Sequence, residues 1–154
     1  MKRLNVSRAN NTESAAADAD PIDIAAKKTT ADPLFPSEIL DLLEQGVVIY
    51  DDADRFVYCN QRFRDFYPLV VPALVPGNGF EDIVRYGIAH GQLVEAEDSA
   101  DAWIANRLAH RRSQGHSFER TLRDGRVLRV VGQLLSNGAL METHTDITEQ
   151  FLAQ

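Results

Sequence analysis

The residues of this sequence that could do chemistry are one cysteine, four histidines and two dense charge clusters. Cys59 is the single cysteine of 154 residues, so no disulfide forms within the chain. It ends the β-like run "RFVYC", where a thiol packs as a small hydrophobe. Among His90, His110, His116 and His144 no two stand at a metal-ligand spacing. His90 and His110 fall in helical stretches and read as solvated; His116 and His144 are isolated. The acidic run "EAEDSAD" lacks the glycine and the terminal bidentate glutamate of an EF-hand loop. It reads as a solvated helix start capped by Asp98 or Ser99. "RDGR" is first a hairpin signal. The arginines around it (Arg120, Arg123, Arg126 and Arg129) read as a solvated strand face paired with Glu119 and Asp124. No nucleophile stands beside an evident base, and there is no glycine-rich phosphate loop. The residues point to binding rather than catalysis.

The elements that must position them follow from patterning. The length suits one domain with a real core. A formal net charge of −7 argues against nucleic acid or an anionic membrane surface as partner. The most apolar stretch, "YPLVVPALVPG", is too short to span a bilayer and is broken by prolines. The start has no apolar segment behind its positive charges, so it does not read as a secretory signal; the expected location is cytoplasmic. Residues 1–33 are rich in Ala, Asp, Asn and Thr and contain no aromatic residue. They predict a disordered tail.

"PSEILDLLEQG" predicts a helix capped by Ser37, with Ile39, Leu42 and Leu43 on one apolar face and Gly46 as its stop. "VVIYDDADRFVYC" predicts a hairpin. Asn60 then caps a short helix carrying Phe63, Phe66 and Tyr67, which Pro68 closes. Two further helices follow. The second, "DAWIANRLAHRRSQG", shows Ile104, Ala105 and Leu108 as its core stripe. Three strands, "SFERTL", "VLRVVGQLL" and "ALMETHT", are joined by the "RDGR" and "SNG" turns. "DITEQFLAQ" begins a last helix, capped by Asp146 or Thr148. This order predicts an α+β fold, a five-stranded antiparallel sheet with helices on one face.

Three patterns together resemble a PAS domain: "GVVIYDDADRFVYCNQRFRDFY", "RDGRVLRVVGQLLSNGAL" and "THTDITEQ". The stretch "WIANRLAHRR" resembles a PAS subgroup of bacterial sensor kinases and cyclic-di-GMP signalling proteins. The resemblance places the domain at residues 34–146, with 147–154 starting a signalling helix. It implies a sensory or interaction module that acts by ligand or partner binding and conformational transmission, with no catalysis in this chain. Partners would be a second copy, another signalling protein or a small-molecule ligand.

The resemblance also frames the cofactor question. Light-sensing relatives carry a flavin-reactive cysteine on a later helix, whereas Cys59 belongs to an early strand. Haem-binding relatives use a helical histidine over the sheet, and neither His90 nor His110 falls on the expected core face. No haem, flavin or metal is expected. The pocket and core are expected from Phe56, Cys59, Phe63, Phe66, Ile83, Leu108, Val130 and Met141. Asn60 is the cap at the strand-to-helix switch, and Asp146, Ile147 and Thr148 are the signal exit. Two other readings stay open: a ligand-free dimerisation domain, which an apolar interior would suit, and a small α+β cone-type enzyme, which would need a polar one.

Overall fold

Gly46 lets the helix carrying Phe63 and Phe66 pack closely against the first strand of the sheet. A Cβ here would sit 3.0 Å from the Phe63 Cα and 3.1 Å from the Phe66 ring, so only glycine lets a helix lie this near a strand. The computed structural model describes residues 36–154; the tail expected over residues 1–33 lies outside them. The elements run α1 (Pro36–Asp41), β1 (Gly46–Tyr50), β2 (Phe56–Cys59), α2 (Gln61–Phe66), a 3₁₀ turn (Pro68–Ala73), α3 (Phe80–Ala89), a second 3₁₀ turn (Val94–Ala96), α4 (Ala100–His110), β3 (Ser117–Thr121), β4 (Val127–Leu134), β5 (Leu140–Asp146) and α5 (Thr148–Leu152). The strands form one sheet in the order β2-β1-β5-β4-β3, antiparallel at every pairing. The expected α+β sheet is therefore the observed one.

Several local expectations change. Pro36 opens α1, which places Ser37 in its first turn instead of before it. The helix ends at Asp41, so Leu42 and Leu43 lie beyond it, and both are exposed, as is Ile39. Gly46 opens β1 and does not stop a helix. Ser99 stands at the α4 N-cap, but its side chain makes no capping bond.

The register decides which side chains enter the core. Gly46 pairs with His144, which pairs with Val130, which pairs with Phe118. Val48 pairs with Glu142, and Glu142 with Gly132. Residues directly opposite share a face, so Leu140, Glu142 and His144 all point inward. Met141 belongs to the other row, opposite Ile49 and Gln133. It is half-buried on the outer face and is no part of the pocket. On α4 the buried stripe is Ile104, Arg107 and, one residue past the helix, Arg111. Ala105 is exposed and Leu108 is 43% exposed, so Leu108 also leaves the expected core. Arginines occupy the i+3 and i+7 positions where aliphatic residues would ordinarily sit.

Candidate functional site: a charged interior

The interior has two ends. At the β1–β2–α2 end, Asn60 is fully buried. Its Oδ1 accepts from the Val47 amide at 2.8 Å and from the Phe63 amide at 3.1 Å. Its Nδ2 donates to the Leu40 carbonyl at 2.8 Å and the Gln45 carbonyl at 2.9 Å. The expected helix cap is present, and the same amide ties three further pieces of backbone. Phe56, Cys59 and Phe66 are buried in the apolar core around it. Burial pushes the Cys59 thiol up to about 11, which keeps it protonated at neutral pH.

The other end is polar, which the sequence reading did not expect. His144 is 2% exposed and sits edge-on between the rings of Phe63 and Tyr67. Its Nε2 meets Glu142 Oε1 at 3.2 Å, and its Nδ1 meets the Tyr67 hydroxyl at 2.7 Å. Burial holds the imidazole below its ordinary range, against the pull of Glu142. A neutral ring beside a carboxylate must keep its proton on Nε2, so Nδ1 accepts from Tyr67. Arg120 NH1 in turn donates to the Tyr67 oxygen at 3.0 Å, and Arg120 Nε pairs with Glu95 at 2.6 Å. A single directed chain thus runs from Arg120 through Tyr67 and His144 to Glu142.

Arg111 closes that chain. It is 2% exposed and donates from NH1 to Glu142 Oε2 at 2.9 Å. Its Nε and NH2 hold both oxygens of Asp54, at 2.9 and 2.7 Å, the paired geometry that suits a guanidinium. The guanidinium lies 3.5 Å from the Phe80 ring centroid and 4.6 Å from that of Tyr50. Asp54 holds a left-handed backbone, φ 62°, which an aspartate tolerates better than most residues. Arg112 donates to the same carboxylate at 3.2 Å. Burial raises the Glu142 carboxyl; the hydrogen bond from His144 and the guanidiniums of Arg111 and Arg120 outweigh it and bring it down to about 2.

A cavity of about 40 Å³ lies against this network. Glu142, His144, Tyr67, Arg107 and Arg120 form its polar wall, with Tyr50 beside them; Val70, Ile83, Val84, Leu93 and Phe118 are among its apolar ones. Of the expected pocket residues, Phe63 and Ile83 line it. Val130 is buried beside His144 in the sheet without lining the cavity. His90 and His110 are exposed, each bonded through Nδ1 to the carbonyl one turn back. Arg126 and Arg129 make the expected solvated pairs, with Asp124 and Glu119, while Arg123 pairs with Glu97; Arg120 turns inward instead. Among the described residues no group of His, Cys, Asp and Glu could hold a metal ion, and no helix is long and apolar enough to cross a membrane.

At the exit, Ile147 is buried and its amide donates to the Val127 carbonyl at 2.9 Å. The Val127 amide donates to Thr148 Oγ1 at 3.0 Å. Asp146 Oδ1 accepts from the Thr148 amide at 2.9 Å and from the Thr148 hydroxyl. The start of α5 is thereby tied to the start of β4, but its N-cap position falls on Ile147 with no side-chain cap bond, so neither Asp146 nor Thr148 is the cap the sequence predicts.

An antiparallel sheet in this strand order, roofed by short helices over a cavity, is an α+β sheet-and-helix scaffold. The PAS fold family matches residues 40–154, and the chain belongs to it. No curated protein matches. Among solved structures, a domain of a sensory box sensor histidine kinase/response regulator from Geobacter sulfurreducens is 18% identical, with 70% of this chain and 88% of that one covered, at TM-score 0.45. The PAS domain of the quorum-sensing receptor RpfR from Cronobacter turicensis, in complex with C12:0, is 19% identical over 69% of this chain and 96% of that one, TM-score 0.44. The PAS domain of nitrogen regulation protein NR(II) from Vibrio parahaemolyticus is 18% identical over 74% and 99%, TM-score 0.42. None of these likenesses indicates what this chain binds.

Proposed function

We propose that this chain is a cytoplasmic sensory module of bacterial signal transduction. It binds a small molecule in the β5-side cavity and transmits occupancy through β5 to the segment Asp146–Thr148. One observation carries the reading. Glu142 and His144 face the cavity on the strand that ends at Asp146, so a displaced wall and the exit are parts of one rigid element. The module works without catalysis of its own and without haem, flavin or metal. Its thiol is held protonated, and its buried imidazole is already committed on both nitrogens. Output passes to a partner signalling protein or to a second copy of the chain.

A second reading, a ligand-free dimerisation domain, is favoured by the small size of the cavity. One experiment tests the transmission that the first reading requires. The full chain is fused ahead of a reporter cyclase, and Asp146→Ala is compared with the parent. Loss of the carboxylate should lower stability by about 1 kcal/mol, leave the circular dichroism unchanged and shift basal output. A folded variant with parental output would remove the exit from the mechanism.

A further inference from the structure

Two buried arginines reach the interior from one face of α4, and they are not equivalent. Arg111 has a carboxylate oxygen on each of three nitrogens. Arg107 is 7% exposed and, among the described residues, forms no ion pair. Its hydrogen bond goes from NH2 to His116 Nε2 at 2.7 Å, a neutral acceptor, while its Cζ lies 3.6 Å from the Phe118 ring centroid. Most of its N–H groups have no partner among the described residues. The carboxylates of the network are held by other arginines, Asp54 and Glu142 by Arg111 and Glu95 by Arg120. A buried charge without a counter-ion is costly.

A second observation points the same way. Tyr50 lines the same cavity and is 3% exposed, yet its hydroxyl makes no hydrogen bond among the described residues. Buried donors are ordinarily satisfied. The cavity therefore presents two unused donor groups, one of them charged. Its acceptors, Glu142 and His144, are already committed. About 40 Å³ holds roughly three water-sized groups, the size of a carboxylate head. The fixed charge of Glu142 on the same wall disfavours a second negative charge. Ile83, Val84 and Leu93 supply an apolar wall for a substituent.

We propose that the cavity binds a small organic monoanion, a carboxylate with a short apolar tail, held by the Arg107 guanidinium and the Tyr50 hydroxyl. This rests on the sensory reading above and names the chemical class of its ligand.

The test titrates the full chain with sodium acetate, butyrate and hexanoate. Butyramide serves as the neutral isostere, and sodium chloride and sodium sulfate as control anions. Calorimetry reads affinity and thermal unfolding reads stability. Acetate or butyrate should bind at one site and raise the unfolding midpoint, with hexanoate excluded by its length and butyramide weaker by roughly 10- to 100-fold, the worth of a charge-assisted hydrogen bond. Arg107→Gln should abolish carboxylate binding and, without ligand, be at least as stable as the parent, because an unpaired buried charge is gone. Tyr50→Phe should weaken binding while preserving the fold.

Equal binding of butyrate and butyramide, unchanged by Arg107→Gln, would overturn the anion assignment and leave the sensory reading standing. Chloride or sulfate matching butyrate would overturn the carboxylate. If Arg107→Gln without ligand is less stable than the parent, the guanidinium is a structural element and the proposal fails. Binding of neither charged nor neutral probes would overturn both this proposal and the sensing cavity, in favour of the dimerisation domain.

Discussion

The two ends of the interior are each organised by a buried polar group, but they treat hydrogen bonding in opposite ways. Around Asn60 every donor and acceptor of the amide is used, all four partners are backbone, and three lie within 15 residues of it. Around Glu142 the partners are side chains from β3, β5, α4 and the Asp51–Asp54 turn, separated by up to 88 positions between Asp54 and Glu142. That end leaves Arg107 and Tyr50 with unused donors. A saturated backbone knot fixes one geometry. A side-chain network with spare donors can settle in more than one.

The comparison can be broken most sharply at Arg111. Arg111→Ala leaves Asp54 and Glu142 facing each other's surroundings without their shared cation, and should cost about 3–5 kcal/mol in urea denaturation. A loss below about 1 kcal/mol would mean that water already screens this end as it screens surface pairs. Asn60→Ala at the other end should cost less, about 2–3 kcal/mol, since it orphans neutral groups and one helix cap. If it costs more than Arg111→Ala, the backbone knot and not the charged network is the principal stabiliser.

The smallest effect is with pH and belongs to the charged end alone. His144 is neutral when folded, and its pKa lies below the ordinary histidine value of about 6.5. The unfolded chain therefore takes up a proton there first. The contribution is complete above that value and falls as pH drops through it, at no more than about 1.4 kcal/mol per pH unit. Glu142 adds a second loss in more acid solution, between the ordinary glutamate value of 4.5 and about 2. Urea midpoints from pH 8 down to about 5.5 should therefore decline in the parent and flatten in His144→Asn. His116, whose pKa is also lowered, is separated by its own Asn variant. An undiminished slope in His144→Asn would place the titration elsewhere.

These two ends also differ in how far the sequence discloses them. Asn60 is readable because its role is local: a capping residue three positions before Phe63, between a strand pattern and a helix pattern. The exit is only partly readable: Asp146 and Thr148 bond each other across two positions, but the N-cap position of α5 is Ile147 and the cap expected from Asp146 or Thr148 is not made. The sheet and its order follow from the turns and the family pattern. The charged end stays hidden because polar residues are counted as surface and apolar ones as core. That habit selects Met141 and Leu108, which lie outside the interior, and passes over Glu142, His144, Arg107 and Arg111. The signal that would find them is parity rather than hydrophobicity. Leu140 turns inward after its hairpin, so strict alternation carries Glu142 and His144 in with it. From Ile104, steps of three and seven reach Arg107 and Arg111. Which carboxylate meets which guanidinium depends on contacts distant in sequence, and no local pattern encodes it.

The position of β5 has a consequence for how the chain acquires its structure. It lies at the centre of the sheet, between β1 and β4, yet it is the last strand in sequence, and its bonds to β1 join Gly46 to His144. Pairings of such wide separation close late and slow the search for the native topology. As the chain leaves the ribosome, β1, β2 and the helices emerge before the strand that bridges them to β3 and β4. Until residues 140–146 have emerged, Arg111 lacks Glu142, Tyr67 lacks His144 and the sheet remains in two halves. Synthesis proceeds at about 5–20 residues per second, so the half-built domain spends seconds with the inward edge of β1 unpaired, the form in which it is most open to capture by a chaperone or by another chain.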